Sequence, residues 1–183
     1  MALTESKKIE MGMNAPNFSL TDTVSGETLA RDDLKGKFAT VIMFICNHCP
    51  YVRHINQEII NISKEYKDKG VSFVAISAND AVEYPQDGPD EMKRTAEKLG
   101  YDFPYLYDET QEVARAYGAS CTPDLFIYDS HMKLSYHGQL DDSRLENDIP
   151  VTGESFRNAL DDVIEGQVPQ GQIPSIGCSI KWK

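Results

Sequence analysis

The chain has 183 residues, of which 40% are hydrophobic and 26% charged, with a net charge of −11 and a pI of about 4.7. That length suits one domain with a sizeable core, and without a basic patch or an Arg/Lys run there is no surface for nucleic acid or an anionic membrane. Four cysteines are too few for a disulfide scaffold, no apolar run is long enough to cross a bilayer, and residues 1–8 lack the apolar segment of a secretory signal, so the expected setting is a reducing cytosol.

Residues 15–20 read as a short edge strand, followed by a turn at Ser25-Gly26 and a second short strand at 27–29. A turn at 34–37 leads into 40–45, an unbroken apolar, β-rich run of the kind a buried central strand carries. Cys46-Asn47-His48-Cys49-Pro50 comes next. From Val52 the apolar residues recur at Ile55, Ile59, Ile62 and Tyr66, a helical spacing that stops at Lys69-Gly70. Residues 71–76 are a second buried strand, and 79–89 a turn-rich loop. Met92, Ala96 and Leu99 mark a short helix, and 105–107 a third strand. Asp108 to Gln111 has the spacing of a capping box for a helix holding Val113, Ala114 and Tyr117. Residues 125–128 and 134–137 are strands with a hairpin-length connection, and Phe156, Leu160, Val163 and Ile164 line a last helix stopped by Gly166. The tail, 167–183, contains Pro169, Pro174 and Gly177 but also Ile176, Ile180 and Trp182, so it is expected to pack on the core. The order β-β-β-α-β-α-β-α-β-β-α has no repeat and no linker. It predicts one α/β domain over 1–183, with a mixed sheet flanked by helices.

The two cysteines sit where a strand pattern stops and a helical pattern starts. A helix N-terminus offers unpaired N–H groups and the positive end of the macrodipole, both of which favour a thiolate. The thiolate is the nucleophile of disulfide exchange, and the second cysteine, one turn on, is close enough to close a disulfide. Pro50 fits the first turn because its missing N–H would be unpaired anyway. In a reducing compartment such a pair is redox-active or metal-binding rather than structural.

The strand into Cys46-Asn47-His48-Cys49-Pro50, together with Thr122-Pro123 just before the strand at 124–127, resembles the thioredoxin fold in its redoxin form. The Ala15-Pro16-Asn17-Phe18 entry and the extra strand and helix between the two motifs are similar to the alkyl hydroperoxide reductase/thiol-specific antioxidant (AhpC/TSA) branch, TlpA/ResA-like, across residues 12–183. The resemblance implies a thioredoxin fold with a redoxin-type N-terminal β extension and a central βα insertion. Residues 12–166 would form the core and 167–183 a packed tail. It also implies a cis Pro123 against the redox pair and thiol–disulfide oxidoreductase activity. No organic cofactor beyond a Cys46–Cys49 disulfide is implied. The implied partners are a disulfide-containing protein or a low-molecular-weight thiol, with electrons from a thioredoxin-type donor.

Three positions depart from the relatives. Thioredoxin's buried acid six residues before the first cysteine is Thr40 here, and its preceding Trp is Ile45, which leaves water or Glu58 to deprotonate Cys49. The Thr that peroxiredoxins need three residues before the peroxidatic cysteine is Met43 relative to Cys46, and Cys46 relative to Cys49, which disfavours a peroxidase. Within this frame Cys46, the N-terminal and more exposed cysteine, is the expected nucleophile and Cys49 the resolving cysteine. His48 would stabilise the Cys46 thiolate and raise the reduction potential, with His54 supplementing the field. Thr122 would offer its edge for β-type pairing with a substrate chain, and Pro123 and Tyr51 would complete the substrate contact. Cys121 and Cys178 are candidate auxiliary thiols: Cys121 as a third redox thiol, a ligand or a small buried filler, and Cys178 as a redox thiol if the tail reaches the site. Residues 141–144 read as a turn with an Arg–Asp pair. The competing readings are a thiol-dependent peroxidase and a zinc or copper(I) site built from Cys46, His48, Cys49, His54 and Cys121, with His137 a weaker distal candidate.

Overall fold

The computed structural model describes residues 3–183; the first two residues of the expected domain lie outside the described residues. In chain order the elements are β1 (Leu3–Glu5), β2 (Ser19–Asp22), β3 (Thr28–Ala30), β4 (Ala39–Phe44), α1 (Pro50–Lys67), β5 (Val71–Ser77), α2 (Pro89–Leu99), β6 (Tyr105–Tyr107), α3 (Glu112–Tyr117), β7 (Cys121–Thr122), β8 (Asp124–Asp129), β9 (Leu134–His137), α4 (Glu154–Ile164) and β10 (Ile176–Ser179). Seven strands form a mixed sheet in the order β3-β2-β6-β5-β4-β8-β9. β4 lies inside it, parallel to β5 and antiparallel to β8.

Every residue of β4 is buried, because both faces of the strand are covered. The alternation of side chains along a strand sorts them into two cores. Val41 and Met43 meet Val52, Ile55 and Ile59 of α1, Met92 of α2 and Phe156 and Leu160 of α4. Ile42 and Phe44 point the other way, to Phe126, Tyr117 of α3, and Phe18 and Ile180 from the two ends of the chain. The apolar run therefore places the segment from Cys46 to Cys49 at the end of a strand enclosed on both faces.

Several boundaries differ from the sequence expectations. Residues 15–18 are not strand: Ala15 and Phe18 fill the second core, and the strand expected there begins at Ser19 and is no edge, since β2 lies between β3 and β6. α1 starts at Pro50, in the first turn where the sequence put it. The capping box at 108–111 does not form. Gln111 is the N-cap itself, at φ 65°, and its side-chain amide donates to Ala78 O and Lys181 O. Asp108 nevertheless accepts the Ala114 N–H, at 2.8 Å. The tail packs down as a strand. β10 sits between β1 and β7 in a second, three-stranded antiparallel sheet, pairing Cys178 with both Leu3 and Thr122. The rest of the tail is anchored by Ile180 N–H to Ser120 O at 3.1 Å and Lys181 N–H to Asn79 Oδ1 at 2.8 Å.

Candidate active site

β4 ends at Phe44, and one more bond, Ile45 N–H to Ile76 O at 3.0 Å, keeps the chain on β5. The backbone then leaves the sheet at Cys46 and re-enters regular structure with Cys49 as the N-cap of α1. Both cysteines are buried thiols, 2% and 0% exposed. The Thr122–Pro123 bond is cis, and this segment lies across the pair. Cys46 Sγ is 3.3 Å from Thr122 Oγ1, and Cys49 Sγ is 3.1 Å from Thr122 O.

The two thiols are hydrogen-bonded to each other. That bond, reinforced by burial and by the Asp87 carboxylate, pushes the Cys46 thiol up, and the same bond pulls Cys49 down despite its burial. The Cys178 thiol and the Val52 N–H in the first turn of α1 also lower Cys49. The pair thus holds one proton between two sulfurs: the first ionisation is eased and the second opposed. These directions leave the thiolate on Cys49 and the proton on Cys46; once Cys49 takes that proton it can donate to the Thr122 carbonyl, 3.1 Å away, and the Thr122 hydroxyl is placed to donate to the Cys46 thiolate.

Asp87, which sequence reasoning passed over as part of a turn-rich loop, organises the other side of the motif. It is completely buried. It accepts the Asn47 N–H at 2.8 Å, the His48 N–H at 3.1 Å and the Asn79 side-chain amide at 2.8 Å, and it pairs with His48 Nδ1. Its only sequence signal is a Pro-Gln-Asp-Gly turn some forty residues downstream of the cysteines, which names no target. Tyr84, from the same loop, stacks on the His48 ring with centroids 5.3 Å apart. His48 Nδ1 is 4.0 Å from Cys46 Sγ but faces Asp87 more closely. His48 is therefore beside Cys46, with its closer hydrogen bond directed to a carboxylate rather than to sulfur.

The remaining candidates separate. Tyr51 and Pro123 line one shallow groove with His54, Leu140, Arg144 and Ile176, and the Tyr51 hydroxyl donates to Glu146 at 2.6 Å. His54 is turned from the thiols to Ser143 Oγ at 2.7 Å. Glu58 pairs with Arg157 further along α1 and is not at the site. Arg144 does not pair with an aspartate carboxylate. Its guanidinium donates to Asp141 O and Ser143 O, while the Asp141 carboxylate accepts the N–H groups of Ser143, Thr152 and Gly153. Cys121 is buried, with Sγ 3.6 Å from Pro123 O, and its thiol is pushed up by burial. Cys178 hydrogen-bonds to Cys49, and burial first, then that bond, push its thiol up to about 12. Thr122, expected to present a free edge, is already paired with Cys178. The five-residue metal set is not assembled: among the described residues the ligand types that converge, with ligand atoms within 4.8 Å of one another, are Cys46, His48 and Asp87. His137 is tied to Asp124 at 2.6 Å instead.

The AhpC/TSA family pattern matches residues 11–137. The thiol-disulfide oxidoreductase ResA of Bacillus thuringiensis (strain Al Hakam) is 28% identical over 136 residues, covering 71% of this chain and 70% of that protein. A crystal structure of an uncharacterized conserved protein from Geobacillus kaustophilus superposes with a TM-score of 0.98 at 58% identity, over 100% of this chain and 97% of that one. A thiol:disulfide interchange protein of the thioredoxin family from Chlorobium tepidum shares the fold, with a TM-score of 0.64 at 18% identity over 86% of this chain and 99% of the other.

Proposed function

The chain belongs to the AhpC/TSA family, and from that premise we propose that it is a thiol–disulfide oxidoreductase in which Cys46 attacks and Cys49 resolves. One observation carries the reading: two hydrogen-bonded thiols at the start of α1, with the Thr122–Pro123 segment contacting both sulfurs. In this reading the lowered Cys49 receives the Cys46 proton before attack, and in place of the acid that Thr40 replaces, the departing substrate sulfur later takes the proton from Cys49. Cys46 sulfur then bonds to one sulfur of the substrate disulfide, and the other leaves as a thiolate. Cys49 next attacks Cys46 Sγ, its proton passes to the departing substrate sulfur, and a Cys46–Cys49 disulfide remains. No organic cofactor takes part. His48 and Asp87 act as positioning residues, fixing the Cys46-to-Cys49 loop from outside through the two main-chain bonds to Asp87.

Further parts of the proposal are a cytosolic setting, a protein disulfide or low-molecular-weight thiol as partner, and a thioredoxin-type donor. They are supported by a pair whose exchange needs only thiols. The pairing of Thr122 with β10 favours small disulfides, or a protein segment that displaces the tail, over direct strand addition. The test is to equilibrate the full chain in graded glutathione buffers, alkylate the remaining thiols and map the bonds by mass spectrometry. A reversible Cys46–Cys49 bond is expected, together with loss of peptide-disulfide reduction by about a thousandfold or more in Cys46→Ser. A pair that stays alkylatable across all buffers, or full activity in Cys46→Ser, would overturn the reading.

A further inference from the structure

Cys49 has two thiol neighbours, not one. Cys46 reaches it from the end of β4, and Cys178 reaches it from β10. The approach of β10 is built closely. Gly177 lies so near the cis segment that a Cβ there would sit 2.0 Å from Thr122 O and 3.1 Å from Pro123 Cδ. Cys178, the next residue, is in register with Thr122, whose carbonyl is 3.1 Å from Cys49 Sγ. It is 3% exposed and shares one core with Cys46 and Cys49. Main-chain bonds fix the strand on both sides, Ser6 N–H to Ser175 O at 2.8 Å and Ile180 N–H to Ser120 O at 3.1 Å, so the thiol is held in place. Cys121, by contrast, turns its sulfur to the carbonyl of Pro123.

A sulfur forms one disulfide at a time, so two neighbours make two mutually exclusive bonds. Resting on the oxidoreductase reading, we propose that Cys178 is a third exchange cysteine of this site, taking the disulfide over from Cys46 by bonding to Cys49. In that step the Cys178 sulfur attacks Cys49 Sγ of the Cys46–Cys49 disulfide. The Cys49–Cys178 bond forms, the Cys46–Cys49 bond breaks, and the Cys178 proton passes to the departing Cys46 sulfur. There is no net oxidation, so no further reagent is needed. The oxidised protein exists as two isomers, and in the second Cys46 is a thiol again.

The test uses the full chain with Cys46→Ser, oxidised by glutathione disulfide, alkylated and mapped. A Cys49–Cys178 bond in most molecules is expected, lost in Cys46→Ser/Cys178→Ser, where Cys49 ends as a glutathione adduct. In the oxidised wild type, a fraction of Cys46 alkylates, and that fraction falls to background in Cys178→Ala. Circular dichroism melts confirm that each variant is folded, and if Cys46→Ser is not, Cys46→Ala replaces it. A folded Cys46 variant that forms no Cys49–Cys178 bond overturns this inference while leaving the oxidoreductase reading intact, provided the wild type closes Cys46–Cys49. Failure of the wild type to close that bond overturns the reading itself.

Discussion

Cys46 and Cys49 share a hydrogen bond in a dry setting, so their two ionisations are pushed to opposite sides of the ordinary thiol value of 9.0. Ultraviolet thiolate absorbance of the reduced protein is expected to show one thiolate per pair at neutral pH, and none in Cys49→Ser. The same split sets the pH dependence of stability. The lowered step contributes stability that is fully present above 9.0 and is lost as pH falls through its folded value. The raised step is a thiol that stays protonated when folded but ionises when unfolded, so its contribution is lost as pH rises past 9.0. Measured against the Cys46→Ser/Cys49→Ser double variant by denaturant titration, the reduced protein is therefore expected to gain most between the first step and pH 9.0. A difference that stays flat with pH would contradict the shared proton. At this scale the sequence was half legible. A Cys-x-x-Cys between a strand and a helix names the reacting sulfurs from local pattern alone. Asp87 was invisible because its role is created by tertiary approach: four donors, from Asn47, His48 and Asn79, converge on a loop residue that has no local pattern to mark it.

The elements that read clearly were those whose burial is two-sided or periodic, β4, β5 and α1. Unreadable were the strands that exist only because a distant partner supplies the ladder. β1, β7 and β10 have three, two and four residues. None carries a periodicity, and proline and glycine punctuate the tail. Of the three apolar residues that suggested packing, Ile180 is buried, Ile176 is half-buried and Trp182 is exposed with Arg115 over its ring; none of them signalled pairing. Gly177 is the residue that permits it. Gly177→Ala is expected to force β10 away from Thr122, at a cost of about 1–3 kcal/mol typical of overpacking. Hydrogen exchange checks this: protection at Cys178 and Thr4 should fall, while β4 and β8 keep theirs. Unchanged protection in the tail would show that β10 tolerates a Cβ at this contact.

Across the molecule, 29 acidic residues against 18 basic ones leave a field that acts on any charged partner before contact. Exposed charges are screened beyond about 8 Å at physiological salt. Exchange with the anionic glutathione disulfide is therefore expected to speed up several-fold as salt rises, and exchange with the cationic cystamine to slow, both followed by stopped-flow. Equal salt responses would place the acidic surface away from the approach route. The three-stranded sheet has a mechanical consequence as well. β1 and β10 are antiparallel, with Leu3, the first residue of β1, opposite Cys178 near the C-terminal end of β10. Tension applied through the two ends opens such a ladder bond by bond, like a zip, instead of shearing all its bonds at once. In a single-molecule pulling trace the anchors at Ile180, Lys181 and Lys183 should part first and the β1–β10 pair next, both ahead of the seven-stranded sheet, so a pull reaches Cys178 before the central strands.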